Sequence, residues 1–117
     1  MSTKSMKYEF YDVEIAANGT NSAAFSIPAW AVFVGAYFPA MDDGNIGLEV
    51  SMDSGSSYAP ILDPTDGDDA VLCASGSDAG YVDISDWIRF IPPDAYLRFT
   101  CASQTSGAVT TKVFVRG

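Results

Sequence analysis

Residues 8–15, YEFYDVEI, alternate between two sets of side chains with a period of two residues. One set is Tyr11, Val13 and Ile15, and the other is Tyr8, Phe10, Asp12 and Glu14. Successive side chains of a β-strand point to opposite faces of a sheet, so this period predicts a strand. Because both sets contain aromatic rings, we expect something to cover each side of the strand, with another chain as one candidate.

The same two-residue period continues through the rest of the chain. The apolar residues in phase are Ala23, Phe25 and Ile27; Ile46, Leu48, Val50 and Met52; Leu97, Phe99 and Cys101; and Val113 with Val115. Residues 30–38, WAVFVGAYF, are apolar almost without interruption, which predicts a strand covered on both faces or packed under a loop, with a bulge or bend at Gly35. Shorter strands are predicted at 58–62, 70–75 and 81–85.

Turn signals separate these segments about every ten residues. The pair Pro92-Pro93 and the β-branched and aromatic residues before it argue against a long helix. We therefore predict an all-β fold, an eight- or nine-stranded antiparallel β-sandwich of the jelly-roll or Greek-key type. The length predicts a single domain over 1–117, in which 1–7 form an N-terminal arm or a frayed end.

The charge balance excludes several classes of partner. Fifteen acidic residues oppose six basic ones, for a net charge of −9. A nucleic-acid groove needs clustered Lys and Arg, and docking on anionic lipid needs a basic surface, so neither partner is predicted. The apolar stretch 27–41 contains two prolines and a glycine and is too short for a membrane span, and residues 1–10 lack the apolar core of a secretory signal.

The chain contains two cysteines, Cys73 and Cys101, and no histidine. Each cysteine lies in an apolar run, which favours buried free thiols over a disulfide. Two lone cysteines without histidine do not make a metal site, and a Ser-His-Asp or Cys-His catalytic arrangement is excluded. No catalytic residue and no cofactor is predicted.

Residues 51–58, SMDSGSSY, fit the pattern Ser-x-Asp-x-Gly-x-Ser-aromatic and resemble the Asp-box of sialidases. The resemblance implies a hairpin in which Asp53 bonds its own turn, Gly55 adopts a positive φ and Tyr58 packs inward. A sialidase also needs a cluster of arginines around the substrate, and this chain has only Arg89, Arg98 and Arg116. We interpret the octet as a structural turn.

Acidic residues are concentrated in loops, above all in DPTDGDD at 63–69. A glycosidase needs a carboxyl whose pKa is raised by burial, and exposed loop carboxylates do not meet this condition, so the chain is predicted not to be an enzyme. A calcium ion is a weak alternative, because hard cations bind several oxygens from one flexible loop. Its candidate ligands are Asp63, Asp66, Asp68 and Asp69, although a solvated acidic turn is the preferred interpretation.

Three aromatic residues are candidates for stacking on a sugar: Trp30, Tyr58 and Trp87. Aromatic residues in alternating strands are more often part of the core, so both interpretations stay open. The sugar-binding interpretation predicts a carbohydrate-binding or host-attachment module.

Residues 20–117 resemble small β-sandwich virion proteins of tailed bacteriophages, through the segment IPAWAVFVGAYFPAMDDGNIGLEVSMDSGSSY and the closing hairpin that begins with YLRFTCASQTSGA. The resemblance implies a capsid decoration or head-associated protein that binds the major capsid protein or other virion proteins. It also implies a homo-oligomer, for example a trimer, and a virion location after assembly in the host cytoplasm. A neck or tail component is the alternative within this class. The residues expected to contact a partner are Lys4, Lys7, Tyr8, Phe10 and Tyr11.

Overall fold

A computed structural model describes residues 7–42, 44–75, 79–89, 91–93 and 95–117. Its elements are β1 (Tyr8–Ile15), β2 (Phe33–Phe38), β3 (Gly44–Ser51), β4 (Ala59–Pro60), β5 (Cys73–Ser75), β6 (Gly80–Asp83), α1 (Ser85–Ile88), β7 (Tyr96–Thr100) and β8 (Val109–Arg116). Within the described ranges, no helix has the length and apolar character needed to cross a membrane. The prediction of an all-β chain is confirmed.

The strands form two antiparallel sheets that pack together as a sandwich. Sheet 1 has the order β1-β8-β2-β6. In sheet 2, β3 is central: β7 pairs along its second half, while β4 and β5 pair with separate parts of it. The sandwich prediction is therefore confirmed, whereas its jelly-roll form stays a prediction.

The core lies between the sheets and is built from the in-phase residues of both. Val13, Val113 and Val115 of sheet 1 are almost completely buried, as are Leu97 and Phe99 of sheet 2. The ring centroid of Phe99 lies 5.0 Å from that of Phe25 and 5.0 Å from that of Phe38 on β2. These ring contacts join the two layers, because Phe38 and Phe99 come from opposite sheets.

The chain between β1 and β2 connects the sheets instead of forming a regular strand. The backbone N–H of Ala23 donates to the carbonyl of Glu14 on β1, at 2.8 Å. One residue earlier, the N–H of Ser22 donates to the Phe99 carbonyl, and the Phe99 N–H donates to the Ser22 hydroxyl, both at 2.9 Å. Only isolated bridges replace the strand predicted around Phe25, because the segment bonds to both sheets in turn.

Three further predictions need correction. β2 begins at Phe33 and not at residue 30, because a turn closed by the Ala31 N–H on the Pro28 carbonyl precedes it. Phe33 is 49% exposed, so β2 is not covered on both faces. Met52 is 69% exposed, because β3 ends one residue before it.

Candidate interaction surface

The outward-facing side of sheet 1 is lined with aromatic rings from all four of its strands. Side chains directly opposite each other in a ladder share one face of the sheet, so the registers between neighbouring strands identify the members. We call this surface the aromatic face; its rings are Tyr8, Phe10, Phe33, Tyr37, Tyr81 and Phe114. The other side of the same strands faces the core.

The rings of β1 and β8 contact one another and still face solvent. Phe10 lies 4.8 Å from Phe114 between ring centroids, and Tyr8 lies 6.0 Å from Phe10 in an edge-on arrangement. These separations are within the range of favourable ring contacts. Even so, Tyr8 is 57% exposed and Phe10 is 65% exposed. The contacts order the rings without covering them.

Gly35 explains how the ring of Tyr81 reaches the middle of this face. A Cβ added at Gly35 would lie 2.2 Å from the Tyr81 hydroxyl oxygen, so the ring rests directly on the β2 backbone. The ladder stays in register through this position, pairing Gly35 with Asp83 and Phe114. The predicted bulge is therefore wrong, and close approach of a ring is the reason for the glycine. A shallow depression of about 160 Å³ lies beside it, partly lined by Phe33 and Phe114.

Charged groups of both signs border the aromatic face. The Arg116 guanidinium lies 4.8 Å from the centroid of the Phe33 ring, a cation–π distance. Lys112 forms an ion pair with Asp12 at 2.8 Å. At the end of β1, the Lys7 ammonium lies 4.8 Å over the Trp30 ring. Two carboxylates also lie on the outward side of sheet 1, Glu14 at the far end of β1 and Asp83 beside Gly35.

The residues predicted to contact a partner are divided by the structure. Tyr8 and Phe10 lie on the aromatic face, and Lys7 lies at the end of the same strand. Tyr11 is half-buried and packs against the core from the other side of β1. Its hydroxyl donates to Glu9, and burial, that bond and the Glu9 charge raise the pKa of Tyr11 to about 12. Lys4 lies outside the described residues.

The three candidate sugar-stacking residues are partly covered by other groups. The guanidinium of Arg98 lies 3.9 Å from the centroid of the Tyr58 ring. The Lys7 ammonium lies over the Trp30 ring, and Trp87 in α1 packs against the core. They belong to a loop, a hairpin and a helix, and no shared platform is formed by contacts among them in the described part of the chain. Sugar stacking by these residues stays a prediction.

The octet at 51–58 forms the turn between β3 and β4 through a compact hydrogen-bond network. The Ser51 hydroxyl donates to the Asp53 carboxylate at 2.7 Å and accepts the Gly55 N–H at 2.8 Å. Ser57 donates to Asp53 through its N–H, at 2.9 Å, and through its hydroxyl, at 2.6 Å. Gly55 has a φ of 89°, as the Asp-box resemblance implied. Bonds from Ser57 and Ser51 lower the pKa of Asp53 to about 2.

The acidic loop bonds largely to itself. The Asp63 carboxylate accepts the Thr65 N–H, and the Asp66 carboxylate accepts the Asp68 N–H, both at 2.9 Å. Asp69 forms an isolated bridge with Leu62. No group of three or more His, Cys, Asp or Glu side chains arranged to hold a metal is found among the described residues. Calcium binding by this loop stays a prediction.

A cleft of about 640 Å³ lies at the end of the sandwich, beside α1. Its walls include Ile27 and Pro28 before β2, Ile88 in α1, and Pro92 with Pro93 after it. Asp86 and Arg89 stand at the cleft, where they form an ion pair with each other at 2.9 Å. A third charged group of the lining, Asp83, accepts hydrogen bonds from the N–H and the hydroxyl of Ser85.

The two cysteines are free thiols, as predicted, and each is half-buried instead of fully buried. Burial raises the pKa of the Cys73 thiol. Burial also raises the pKa of the Cys101 thiol, against a smaller opposing effect of a hydrogen bond with Gln104. Both thiols therefore have less thiolate character than an exposed cysteine.

Most of the aromatic face was not predictable from the sequence. The alternation around Phe114 placed its ring opposite Val113 and Val115, so an outward aromatic was visible there. Phe33 and Tyr81 become its neighbours only through the strand order, in which β8 pairs with β2 and β2 pairs with β6. Pairing between strands so distant in sequence leaves no local signal.

No protein-family model matches the chain, and no curated protein matches its sequence. Among solved structures, the crystal structure of the SPBc2 prophage-derived protein YomS is similar in fold, with a TM-score of 0.56. The similarity covers 100% of this chain and 99% of that chain, at 14% sequence identity. At this level of identity the likeness concerns the fold alone.

Proposed function

We propose that this protein is a non-enzymatic structural protein of a tailed-phage virion, a capsid decoration protein that packs its aromatic face against the major capsid protein. The observation that carries the proposal is the aromatic face itself, where Phe10 and Tyr81 are 65% and 63% exposed. Large contiguous apolar patches are uncommon on soluble monomers and mark interaction sites. Aromatic rings are also enriched in protein interfaces, where they dominate the binding energy.

The size of the molecule is compatible with docking through one face. The described surface has an accessible area of 6947 Å². A standard protein interface takes about 800 Å² from each partner, roughly a tenth of this area. One sheet face can therefore supply an interface while the rest of the sandwich stays in solvent.

Charge complementarity narrows the chemistry of the docking surface. Arg116 lies on the aromatic face with its guanidinium over the Phe33 ring, and Asp83 lies near it on the same side of the sheet. A partner surface with apolar pockets and groups complementary to these two charges would match this arrangement. The acidic loop at 63–69 would stay in solvent and keep the assembled particle soluble.

Two similarities support a phage origin. The sequence resembles small virion proteins of tailed phages over residues 20–117. The solved structure that shares the fold is described as a prophage-derived protein. Both similarities leave the place in the particle open, and the copy number per virion distinguishes the possible places.

The direct test is quantitative mass spectrometry of purified virions that carry this protein. A decoration protein is expected at a copy number close to that of the major capsid protein. A handful of copies per particle would instead assign the protein to the neck or tail. Absence from purified virions would overturn the proposal.

A pair of variants tests the docking face. The double change Phe33→Ser and Tyr81→Ser removes rings from β2 and β6, and we expect at least a tenfold loss of binding to particles that lack the protein. The matched control, Leu62→Ser with Val71→Ser, removes exposed apolar side chains that lie outside sheet 1 and should bind normally. Equal binding by both double variants would contradict docking through the aromatic face.

A carbohydrate-binding module remains the competing function. Arg98 and Lys7 already occupy ring faces of Tyr58 and Trp30, which favours the decoration protein. A glycan array separates the two functions. Saturable binding that is abolished by Trp30→Ala or Trp87→Ala would favour the sugar-binding function and count against the proposal.

A further inference from the structure

β1 has an open edge in sheet 1. It is the terminal strand in the order β1-β8-β2-β6, and its register with β8 pairs Tyr8 with Arg116. The Gly117 N–H donates to the Lys7 carbonyl at 2.9 Å, so the odd-numbered residues of β1 exchange backbone bonds with β8. The backbone groups of Tyr8, Phe10 and Asp12 must therefore point away from β8.

Only the far end of this edge is occupied within the described residues. The Glu14 carbonyl accepts the Ala23 N–H at 2.8 Å, where the chain turns toward sheet 2. From Tyr8 to Asp12 no such bond is formed within the described part of the chain. An edge of this kind is a template for another strand, and proteins usually cover or blunt it.

We propose that a second copy of this chain covers the edge, with the two β1 strands pairing antiparallel about a two-fold axis at Phe10. In this register Phe10 lies opposite the partner's Phe10, and Tyr8 lies opposite the partner's Asp12. All these residues are even-numbered, so their outward N–H and C=O groups meet directly as hydrogen-bonded pairs. The contact is isologous, the commonest arrangement in homo-oligomers.

The side chains of β1 complement themselves in this register. On the outward side, the exposed Phe10 rings meet across the axis and cover each other. Asp12, which faces the partner's Tyr8, is already neutralised by Lys112 at 2.8 Å. On the other side Glu9 lies opposite the partner's Tyr11, and these two residue types already hydrogen-bond within one chain. No two carboxylates stand directly opposite each other.

Another symmetric register fits less well. Moving the axis one residue further, to Tyr11, pairs Tyr8 with the partner's Glu14. The Glu14 carbonyl is already bonded to Ala23, and the chain there continues into the bridge between the sheets. The free stretch of edge and its side chains thus favour the register centred on Phe10.

The proposal does not depend on docking to a capsid. It concerns the backbone edge of β1, whereas the docking test changes Phe33 and Tyr81 on β2 and β6. If both proposals hold, two aromatic faces lie side by side on one continuous sheet. Failure of one leaves the other standing, because the two sets of variants are separate.

The first test is the mass of the chain in solution, measured by light scattering coupled to size-exclusion chromatography over a range of concentrations. We expect twice the chain mass of 12.4 kDa at high concentration. A particle of one chain or three chains at every concentration would overturn the proposal. The docking variant Phe33→Ser with Tyr81→Ser leaves β1 unchanged and should keep the dimer mass.

A proline at the axis tests the backbone bonds themselves. Phe10→Pro removes an N–H that makes no bond to β8, so the folded monomer should survive while the dimer is lost. Amide exchange of the unchanged chain gives a second measurement, which does not depend on folding of the proline variant. The Phe10 amide should exchange at least tenfold more slowly at high than at low concentration. Concentration-independent exchange would contradict the pairing.

Disulfide trapping tests the register, in a background where Cys73 and Cys101 are replaced by Ala. Hydrogen-bonded residues in antiparallel strands have Cα atoms about 5.5 Å apart, which a disulfide can span. Phe10→Cys should therefore give a covalent dimer on oxidation, whereas Asp12→Cys alone should not. A mixture of Asp12→Cys and Tyr8→Cys chains should cross-link to each other. A folded Phe10→Cys chain that stays monomeric on oxidation would overturn the proposal.

Discussion

The outer faces of the two sheets differ in the side chains that they present to solvent. On sheet 2, Arg98 donates to Glu49 across the strands at 2.7 Å and stacks on Tyr58 at 3.9 Å. On sheet 1, the matching positions carry Phe10, Phe114 and their neighbours, whose rings contact each other and solvent. Sheet 2 pairs these charged groups within the chain, whereas sheet 1 leaves aromatic area exposed to solvent.

The difference arises from which residues occupy the outward positions, since both sheets alternate with the same period. An outward Arg–Glu pair meets its partner at once in the neighbouring strand. An outward aromatic ring gains full burial only when something covers it, and burial of such a ring is worth about 1.5–3 kcal/mol. The rings of the aromatic face therefore lack much of the stabilisation that burial would give them.

The largest expected difference in the free energy of unfolding is between a variant in the core and a variant in the aromatic face. Phe99→Ala empties a fully buried position that contacts Phe25 and Phe38, and we expect the free energy of unfolding to fall by about 3–5 kcal/mol. Phe114→Ala removes a half-buried ring of the aromatic face, at roughly 1 kcal/mol. Urea denaturation of both variants checks the contrast. Equal losses would mean that the aromatic face is part of the core.

The next effect compares one arginine from each outer face. Arg98→Ala leaves the half-buried Glu49 without its partner and uncovers Tyr58, so we expect a loss of about 1.5 kcal/mol. Arg116→Ala removes a cation–π contact with the exposed Phe33, worth about 0.5 kcal/mol. Thermal unfolding of both variants measures the difference. A larger loss of stability for Arg116→Ala than for Arg98→Ala would contradict the conclusion that the charged groups of sheet 2 are the better satisfied within the chain.

A smaller, pH-dependent effect belongs to the turn of sheet 2. The folded chain lowers the pKa of Asp53 from 3.8 to about 2, so the folded state favours the charged carboxylate. Its contribution is present above the ordinary pKa and is lost as the pH falls through about 2. Asp53→Asn should lower the melting temperature at neutral pH, and the gap from the unchanged chain should close in acid. A gap independent of pH would contradict this role for the charge.

Asp42 and Asp83 provide the control for that experiment. Hydrogen bonds from Ser106 lower the pKa of Asp42, and hydrogen bonds from Ser85 lower the pKa of Asp83. Both groups are present in the unchanged chain and in Asp53→Asn, so the difference between the two curves isolates Asp53.

The last prediction concerns the reactivity of the two thiols and involves no change in stability. Burial raises the pKa of the Cys73 and Cys101 thiols, which lowers the thiolate fraction at neutral pH. A colorimetric thiol reagent should react slowly with the folded chain and rapidly with both thiols after denaturation. Rapid reaction of the folded chain at neutral pH would contradict the raised pKa of the two thiols.

The sequence predicts strands well where polar and apolar residues alternate strictly. The phases of β1 and β8 follow directly from positions such as Val13 and Val115, and both are core residues. The prediction fails near Trp30, where local apolarity is high but Pro28 initiates a turn. It fails at Met52 for a similar reason, because the turn network of Asp53 ends the strand. Local hydrogen bonds override periodicity at both places.

The candidate surface was harder to predict than the strands. Tyr8 and Phe10 were identified because their own strand shows them opposite Tyr11. The remaining rings join them through the pairing of β8 with β2, which is set by packing of the whole chain. Gly35 illustrates this limit. A glycine in a strand is compatible with a bulge and with the close approach of a distant ring, so the residue alone does not distinguish the two.

The central place of β8 in sheet 1 has a consequence for synthesis on the ribosome. β1 and β2 are translated long before β8, yet each pairs with β8 instead of with the other. A nascent chain that ends before residue 109 can pair β2 with β6, but it has no strand that joins β1 to them. Sheet 1 can therefore be completed only after β8 is synthesised, and pairing between strands so distant in sequence is slow and prone to aggregation.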